Sequence, residues 1–211
     1  MAISRRKALK ALGAVPVAAG LTWTPAEAEQ AQEHAAAARK AAASTKTAFT
    51  PKFFTPHEWA IVRVLVDLII PKDQRSGSAT DAGVPEFMDF IMLVPAVTGE
   101  IERARRQTAM RGGLRWLDGE CRRRSQKTFL DCTPAERSAV LDAIAWPERA
   151  KDNPALSQGV AFFSSFRDLT ASGFWSSKMG IEDLKYMGNV ANPNWDGCPP
   201  EALTQLGLKA V

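Results

Sequence analysis

The sequence predicts an all-α protein, built as a single helical domain of about six or seven short helices with long irregular loops and an extended C-terminal tail. Three observations predict this fold. Helix-start patterns, in which Thr or Gly precedes Pro and Glu, come before several apolar runs. The apolar residues recur at helical spacing, and we find no convincing alternation typical of strands. The 211 residues, 45% hydrophobic and 24% charged, suit one soluble core.

The first helix of this domain is predicted to begin at Thr55-Pro56. Thr55 is placed to cap the helix, Pro56 suits the first turn, and Glu58 completes a capping box. Residues 59–70 are rich in Val and Ile, which favours a strand, but the cap and the length favour a helix. Pro71 ends it.

The later helices follow from similar patterns. In chain order they are predicted at residues 83–94, 98–111, 114–126, 133–146, 156–172 and 180–186. Gly112-Gly113 is predicted to break or kink the chain between the third helix and the fourth. Residues 71–83 are predicted to form a loop, and residues 187–200, rich in Gly, Asn and Pro, an irregular tail.

Residues 1–28 have the pattern of an export signal. Paired Arg5 and Arg6 precede a short, weakly apolar run, and a small-x-small site ends at Ala28, after which cleavage is predicted. The paired arginines resemble a twin-arginine signal, which exports folded proteins. The apolar run is shorter than the about 20 residues that span a bilayer. A basic tail or an uncleaved anchor is the alternative.

Residues 29–48 consist mostly of Ala with charged and polar side chains. Because no large apolar residue occurs there, we expect a linker or a frayed helix that does not dock into a core. The helical domain is therefore predicted at residues 49–211. Most of the net charge of +4 lies in the signal, so the basic balance says little about partners.

A search for catalytic, metal-binding and cofactor-binding residues predicts none. His34 lies in the Ala-rich stretch, and His57, in the first turn of a helix, is predicted to be a surface or capping histidine. Zinc, haem, iron–sulfur, dinucleotide and serine-hydrolase motifs are absent from the sequence. Asp118 and Glu120 alternate with arginines and are predicted to lie on a solvated helix face.

A cluster of arginines occupies the middle of the chain. Its members are Arg103, Arg105, Arg106, Arg111, Arg115, Arg122, Arg123 and Arg124. We expect a solvated face with Glu100, Glu102, Asp118 and Glu120 as counterions, and docking to an acidic partner is the alternative. Export argues against a nucleic-acid partner.

The three cysteines are an odd number for an exported protein. Cys132 and Cys198 both lie in irregular segments, and we predict a disulfide between them. The rival is a disulfide from Cys198 to a partner subunit. Cys121, on an apolar helix stripe, is predicted to be buried.

Several stretches resemble a known family, the small subunit of membrane-associated gluconate 2-dehydrogenase (subunit 3 family). The resemblance extends from residue 53 to the C-terminus. It is carried by Phe53-Phe54-Thr55-Pro56-His57-Glu58-Trp59, Leu68-Ile69-Ile70-Pro71, Ala82-Gly83-Val84-Pro85-Glu86-Phe87-Met88-Asp89, Thr170-Ala171-Ser172-Gly173-Phe174-Trp175-Ser176-Ser177, Gly188-Asn189 and Trp195-Asp196-Gly197-Cys198-Pro199.

The resemblance implies a non-catalytic small subunit that binds a large FAD-dependent dehydrogenase of the glucose–methanol–choline type, acting on a sugar or sugar acid. It implies that the small subunit escorts this flavoprotein through the twin-arginine translocase and remains bound at the periplasmic face of the inner membrane. FAD would reside in the partner, and a cytochrome c subunit with haem c often completes such complexes. It implies no cofactor or catalytic residue on this chain.

Large aromatic residues near the C-terminus are candidates for the partner interface. They are Phe174, Trp175, Tyr186 and Trp195. Packing in the protein's own core is the alternative for each. A different function, an independent exported helical protein that binds a small ligand or another partner, would be marked by a closed apolar pocket with a few polar groups.

Overall fold

A computed structural model describes residues 21–95, 99–186, 188 and 197–208, with the side chain of Arg149 excepted. Every regular element in these ranges is helical, and the all-α prediction is confirmed. None of the helices in this part of the chain is both long and apolar enough to span a membrane.

The helices of the described ranges are numbered here in chain order. They are α1 (Pro25–Thr45), α2 (Pro56–Ile69), α3 (Ala79–Ala82), α4 (Val84–Ile91), α5 (Glu100–Ser125), α6 (Pro134–Ala145), α7 (Pro147–Ala150), a 3-10 turn (Pro154–Leu156), α8 (Ser157–Trp175), α9 (Lys178–Asp183) and α10 (Pro200–Gln205). Helix α8 lies at the centre and contacts α4, α5, α6 and α9. Its Phe166 and Phe174 are buried in the core.

The predicted helix starts are confirmed at Thr55 and Thr133. Each threonine side chain accepts a hydrogen bond from the backbone N–H three residues on. The side chain of the Glu at that position in turn accepts the backbone N–H of the threonine. Thr24 and Ser78 start α1 and α3 with the same reciprocal bonds.

The prediction that Gly112-Gly113 separates two helices is wrong, because α5 runs unbroken through both glycines. Gly113 faces α8, where a Cβ atom would lie 1.8 Å from Cδ2 of Phe162. The contact is reciprocal: a Cβ on Gly159 of α8 would lie 2.3 Å from Cη2 of Trp116 in α5. The glycines therefore let two helices approach closely, and each receives an aromatic ring of the other helix.

The prediction that the Ala-rich stretch cannot dock is also wrong. Helix α1 covers most of residues 29–48 and packs along α4, with Ala31 and Ala35 buried and His34 stacked on Phe90 at 5.6 Å between ring centroids. Small side chains let the backbone of α1 come close to its neighbour, so the helix docks without large apolar residues. Ala28, after which cleavage is predicted, lies within α1.

Glu86, in the first turn of α4, makes the stability of the folded protein depend on pH. Its Oε2 atom is buried with no hydrogen-bond partner among the described residues. Burial raises the pKa of Glu86 above its ordinary value of 4.5, an effect that its own backbone N–H, Arg39 and Arg63 partly offset. The folded state therefore retains a proton that the unfolded state releases, and stability falls as pH rises from about 4.5 towards the folded pKa.

Replacing Glu86 by Gln removes this ionisation. We expect E86Q to increase the free energy of unfolding by about 1 kcal/mol at pH 7, and the gain to vanish below pH about 4, where both states of the wild type are protonated. Urea denaturation at the two pH values measures it, with exposed Glu33→Gln as the control. An E86Q protein that is less stable at pH 7 would contradict the assignment.

Candidate partner-binding surface

No group of three or more His, Cys, Asp or Glu side chains in the described ranges is placed to hold a metal ion. The most organised polar contact joins Asp118 to His57, with 2.6 Å between Oδ2 and Nε2. Oδ1 of Asp118 accepts the backbone N–H of Phe129 at 2.9 Å. Asp118 thus ties the start of α2 to α5 and to the turn before α6. His57 is half-exposed, as predicted for a surface histidine.

The prediction that Asp118 and Glu120 lie on a solvated face is wrong, since both are buried. Asp118 is covered by the groups that it binds. Glu120 is covered by two arginines of its own helix: Arg123 Nη2 lies 2.6 Å and Arg124 Nε 2.7 Å from Glu120 Oε1. The hydrogen bond from Arg123 and then that from Arg124 lower the pKa of Glu120 against the opposing effect of burial.

The His57–Asp118 pair borders a shallow cavity of about 300 Å³ that Arg111 and Arg115 also line. The hydroxyl group in this lining belongs to Thr55, which accepts the Glu58 N–H as a helix cap. These contacts tie helices together, and the residues that line the cavity include no serine or cysteine that His57 could activate.

Most members of the arginine cluster form ion pairs or hydrogen bonds with other residues of the chain. Two of them follow the prediction of a face with counterions: the partly exposed Arg103 pairs with Glu100, and the exposed Arg105 pairs with Glu102. Arg106 departs from it, because its guanidinium is buried between Glu27 and the carbonyl of Ile91.

Asp89 connects two of the stretches that carry the family resemblance. The carboxylate of this buried residue of α4 accepts three backbone N–H groups, those of Lys52, Phe53 and Phe54, at 2.8, 2.9 and 3.1 Å. The segment that leads into α2 is therefore held by a side chain of α4. These motif residues have a structural role in the described fold.

The exposed apolar residues near the C-terminal end of α8 form the best candidate for a binding surface. We call Trp175, Ile181, Leu184 and Tyr186 the α8–α9 surface; their side chains are 39–57% exposed. Helices α8 and α9 contact each other, which brings these residues onto one region of the molecule. Large apolar patches of this kind are typical of protein interaction sites.

The backbone holds the α8–α9 surface in a fixed geometry. A Cβ atom on Gly180 would lie 2.0 Å from the carbonyl oxygen of Phe174, so only glycine permits α9 to pack this closely. Ser177 Oγ donates to that same oxygen at 2.6 Å and accepts the Gly180 N–H at 3.1 Å. Arg75 Nη2 donates to the Asp183 carbonyl at 2.7 Å, which ties the end of α9 to the loop after α2.

The predicted interface residues have different positions. Trp175 and Tyr186 are exposed on the α8–α9 surface. Phe174 is buried and supports Trp175 edge-on, with 4.9 Å between the ring centroids, so it packs in the protein's own core. Trp195 lies outside the described residues. Sequence reasoning missed Ile181 and Leu184, because their exposure depends on how α9 and the turn after it pack against α8.

A depression of about 860 Å³ lies beside this surface. One wall comes from the start of α1, including Trp23 and Ala28, and the other from the end of α8, including Ser172 and Ser176. The depression extends the region available to a partner from α8 to α1.

The structure does not contain the predicted Cys132–Cys198 disulfide. All three cysteines are free; Cys132 is buried beside Cys121, whereas Cys198 is exposed. Cys132 Sγ lies 3.5 Å from Ser125 Oγ, which donates to the Cys121 carbonyl, so Cys132 points into the core rather than to the tail. Burial and the neighbouring Cys132 raise the pKa of Cys121 to about 12.

Thiol labelling tests these positions. In the reduced, folded chain we expect Cys198 to react with a disulfide reagent at least about 100-fold faster than Cys121 or Cys132, because reaction of a buried thiol requires local opening. Stopped-flow absorbance measures the rates, and Cys198→Ser should remove the fast phase. A fast phase that persists in this variant would contradict the assigned burial.

The described residues define an all-α protein with exposed apolar residues grouped at the α8–α9 surface. The family model for gluconate 2-dehydrogenase subunit 3 matches residues 56–193, more than half of the chain, and the chain belongs to this family. The resemblance seen in the sequence is thereby confirmed over residues 56–193, and the stretch from Trp195 to Pro199 lies beyond the match. No curated protein and no solved structure gives a match.

Membership makes the chain an accessory subunit of a dehydrogenase complex and implies a dehydrogenase partner. The match begins at the first residue of α2 and includes the whole α8–α9 surface. Helix α1 and Cys198 lie outside it.

Proposed function

We propose that this chain is the non-catalytic small subunit of a large FAD-dependent sugar or sugar-acid dehydrogenase of the glucose–methanol–choline type. It binds the folded, FAD-loaded flavoprotein, escorts it through the twin-arginine translocase and stays bound as its structural partner. The complex resides at the periplasmic face of the inner membrane. The FAD belongs to the partner.

The observation that carries this proposal is the α8–α9 surface within the family-matched region. Trp175 and Tyr186 are the residue types that dominate the energy of protein interfaces. The edge-on contact with Phe174 orients Trp175 at the end of α8, which limits the conformational entropy that this side chain loses on binding. The export part is supported by Arg5 and Arg6, which lie outside the described residues.

The binding test is co-expression of the tagged chain with the flavoprotein of its complex, followed by measurement of FAD that co-purifies. We expect a stoichiometric yellow complex for the wild type and about 100-fold weaker binding for the double variant Trp175→Ser/Tyr186→Ser. Trp146→Ser is the matched control, since Trp146 is 56% exposed but lies at the end of α6, outside the surface. Equal binding of all three proteins would contradict the proposed interface.

The escort test replaces Arg5 and Arg6 together by Lys. We expect the dehydrogenase activity of the partner to remain in the cytoplasm, and unchanged periplasmic activity would contradict the escort role. A chain that is soluble alone and never co-purifies with a flavoprotein would instead support an independent binding protein. Turnover of an electron donor by the isolated chain would refute the non-catalytic role.

A further inference from the structure

We propose that the export signal is not removed after Ala28, and that residues 21–28 remain in the mature protein as part of its fold. Any processing then takes place at or before residue 20. This inference rests on the proposed export of the chain, and it concerns a bond that the small-x-small pattern singles out as the cleavage site.

The bond after Ala28 lies in regular helix. Helix α1 begins at Pro25, and the Ala28 N–H already donates to the Thr24 carbonyl at 3.0 Å. The reciprocal bonds between Thr24 and Glu27, at 2.8 and 3.2 Å, close this turn. Proteases act on chain that can extend across their active site, typically at exposed loops and termini. Cleavage after Ala28 would require this capped turn to unwind first.

The side chain of Glu27 anchors the same turn in the core. Glu27 is 3% exposed, and its Oε2 atom lies 2.8 Å from Nη2 of Arg106, which is itself 2% exposed. Nη1 of Arg106 donates to the Ile91 carbonyl at 2.8 Å, so the pair joins α1, α5 and the end of α4. Cleavage after Ala28 would remove Glu27 and leave a buried guanidinium without its carboxylate, which is strongly destabilising.

The residues before α1 are docked as well. Leu21 is buried in the core, and Trp23 packs against it. Thr22 Oγ1 donates to Oε1 of Glu102 at 2.8 Å. Trp23 and Ala28 also form a wall of the depression beside the α8–α9 surface. Residues 21–28 thus form a docked strap, a term we use for this segment.

In twin-arginine export, the docked strap determines whether the bond after Ala28 is accessible to the peptidase. The chain folds before it crosses the membrane, so the peptidase meets the strap already docked. Residues 18–20, Ala18-Ala19-Gly20, form another small-x-small site, and cleavage after Gly20 would leave the whole strap in place. Cleavage there and complete retention of the signal both preserve the fold.

The N-terminus of the exported protein tests the inference directly. The full chain, co-expressed with its flavoprotein, is isolated from the periplasm and analysed by intact mass and N-terminal sequencing. We expect every species to begin at or before Leu21. A species that begins at Glu29 would overturn the inference. A chain that never reaches the periplasm would instead refute the export proposal.

A pair of full-length variants tests the docked strap independently of export. Glu27→Gln and Glu29→Gln make the same change two residues apart, but Glu29 is exposed. We expect E27Q to lower Tm by about 6 °C or more, and E29Q to change it by less than about 2 °C. Equal Tm values would overturn the inference. If E27Q fails to fold while E29Q folds normally, the strap is likewise shown to be required.

Discussion

Replacement of Asp89 by Ala is expected to destabilise the protein by about 4 kcal/mol, a large part of the 5–15 kcal/mol that typically stabilises a domain. The carboxylate accepts the N–H groups of Lys52, Phe53 and Phe54 in a buried site. Alanine leaves all three donors without this acceptor, and the N–H groups of Phe53 and Phe54 are buried away from water, so their hydrogen bonds are not replaced. The segment before α2 then loses its attachment to α4.

Urea denaturation monitored by far-ultraviolet circular dichroism measures this loss. Asp89→Asn, which keeps one carbonyl oxygen, is expected to cost about 2 kcal/mol, because its amide group cannot accept the third N–H. Asp142→Ala on the exposed face of α6 is the control and should change stability by less than about 0.5 kcal/mol. A D89A protein as stable as this control would refute the role assigned to Asp89.

Alanine substitutions at the two adjacent glycines of α5 are expected to have effects of opposite sign. Gly113→Ala places a methyl group 1.8 Å from the Phe162 ring, which forces α5 and α8 apart at a cost of about 3 kcal/mol. At Gly112 the nearest atom to a new Cβ is Gln158 Nε2 at 3.9 Å, so alanine fits. There the higher helix propensity of alanine should add about 0.5–1 kcal/mol.

Thermal and urea unfolding of the two variants measure the difference, and each variant is the matched control of the other. The same sign for both would show that helix propensity alone governs this part of α5. A smaller residue in place of Phe162 should recover stability in the G113A background, because the clash is with that ring.

The helix starts could be predicted from the sequence because their chemistry is local. Thr55, Pro56 and Glu58 lie within four consecutive positions, and their order alone determines the capping bonds. The continuity of α5 through its glycines could not be predicted from the sequence. The ring that requires a glycine at position 113 belongs to Phe162 of α8, a helix that comes much later in the chain. Adjacent glycines are typical of a break, and only the facing surface shows otherwise.

Burial likewise depends on partners that are distant in sequence. Ala31 and Ala35 lie in a stretch typical of a linker, yet α4 provides a surface for them. Phe174 and Trp175 are neighbours of similar character, and the fold buries one and exposes the other. The candidate surface was therefore predicted in its region and residue type, but its individual members required the structure.

The reciprocal insertion of Phe162 at Gly113 and Trp116 at Gly159 has a mechanical consequence. The two rings project in opposite directions across one helix pair, so sliding α8 along α5 drives both rings into side chains larger than glycine. The two contacts therefore resist translation of α8 along α5. A force that a bound protein applies at Trp175 would therefore move α5 and α8 together as one rigid body, and would not slide one helix past the other.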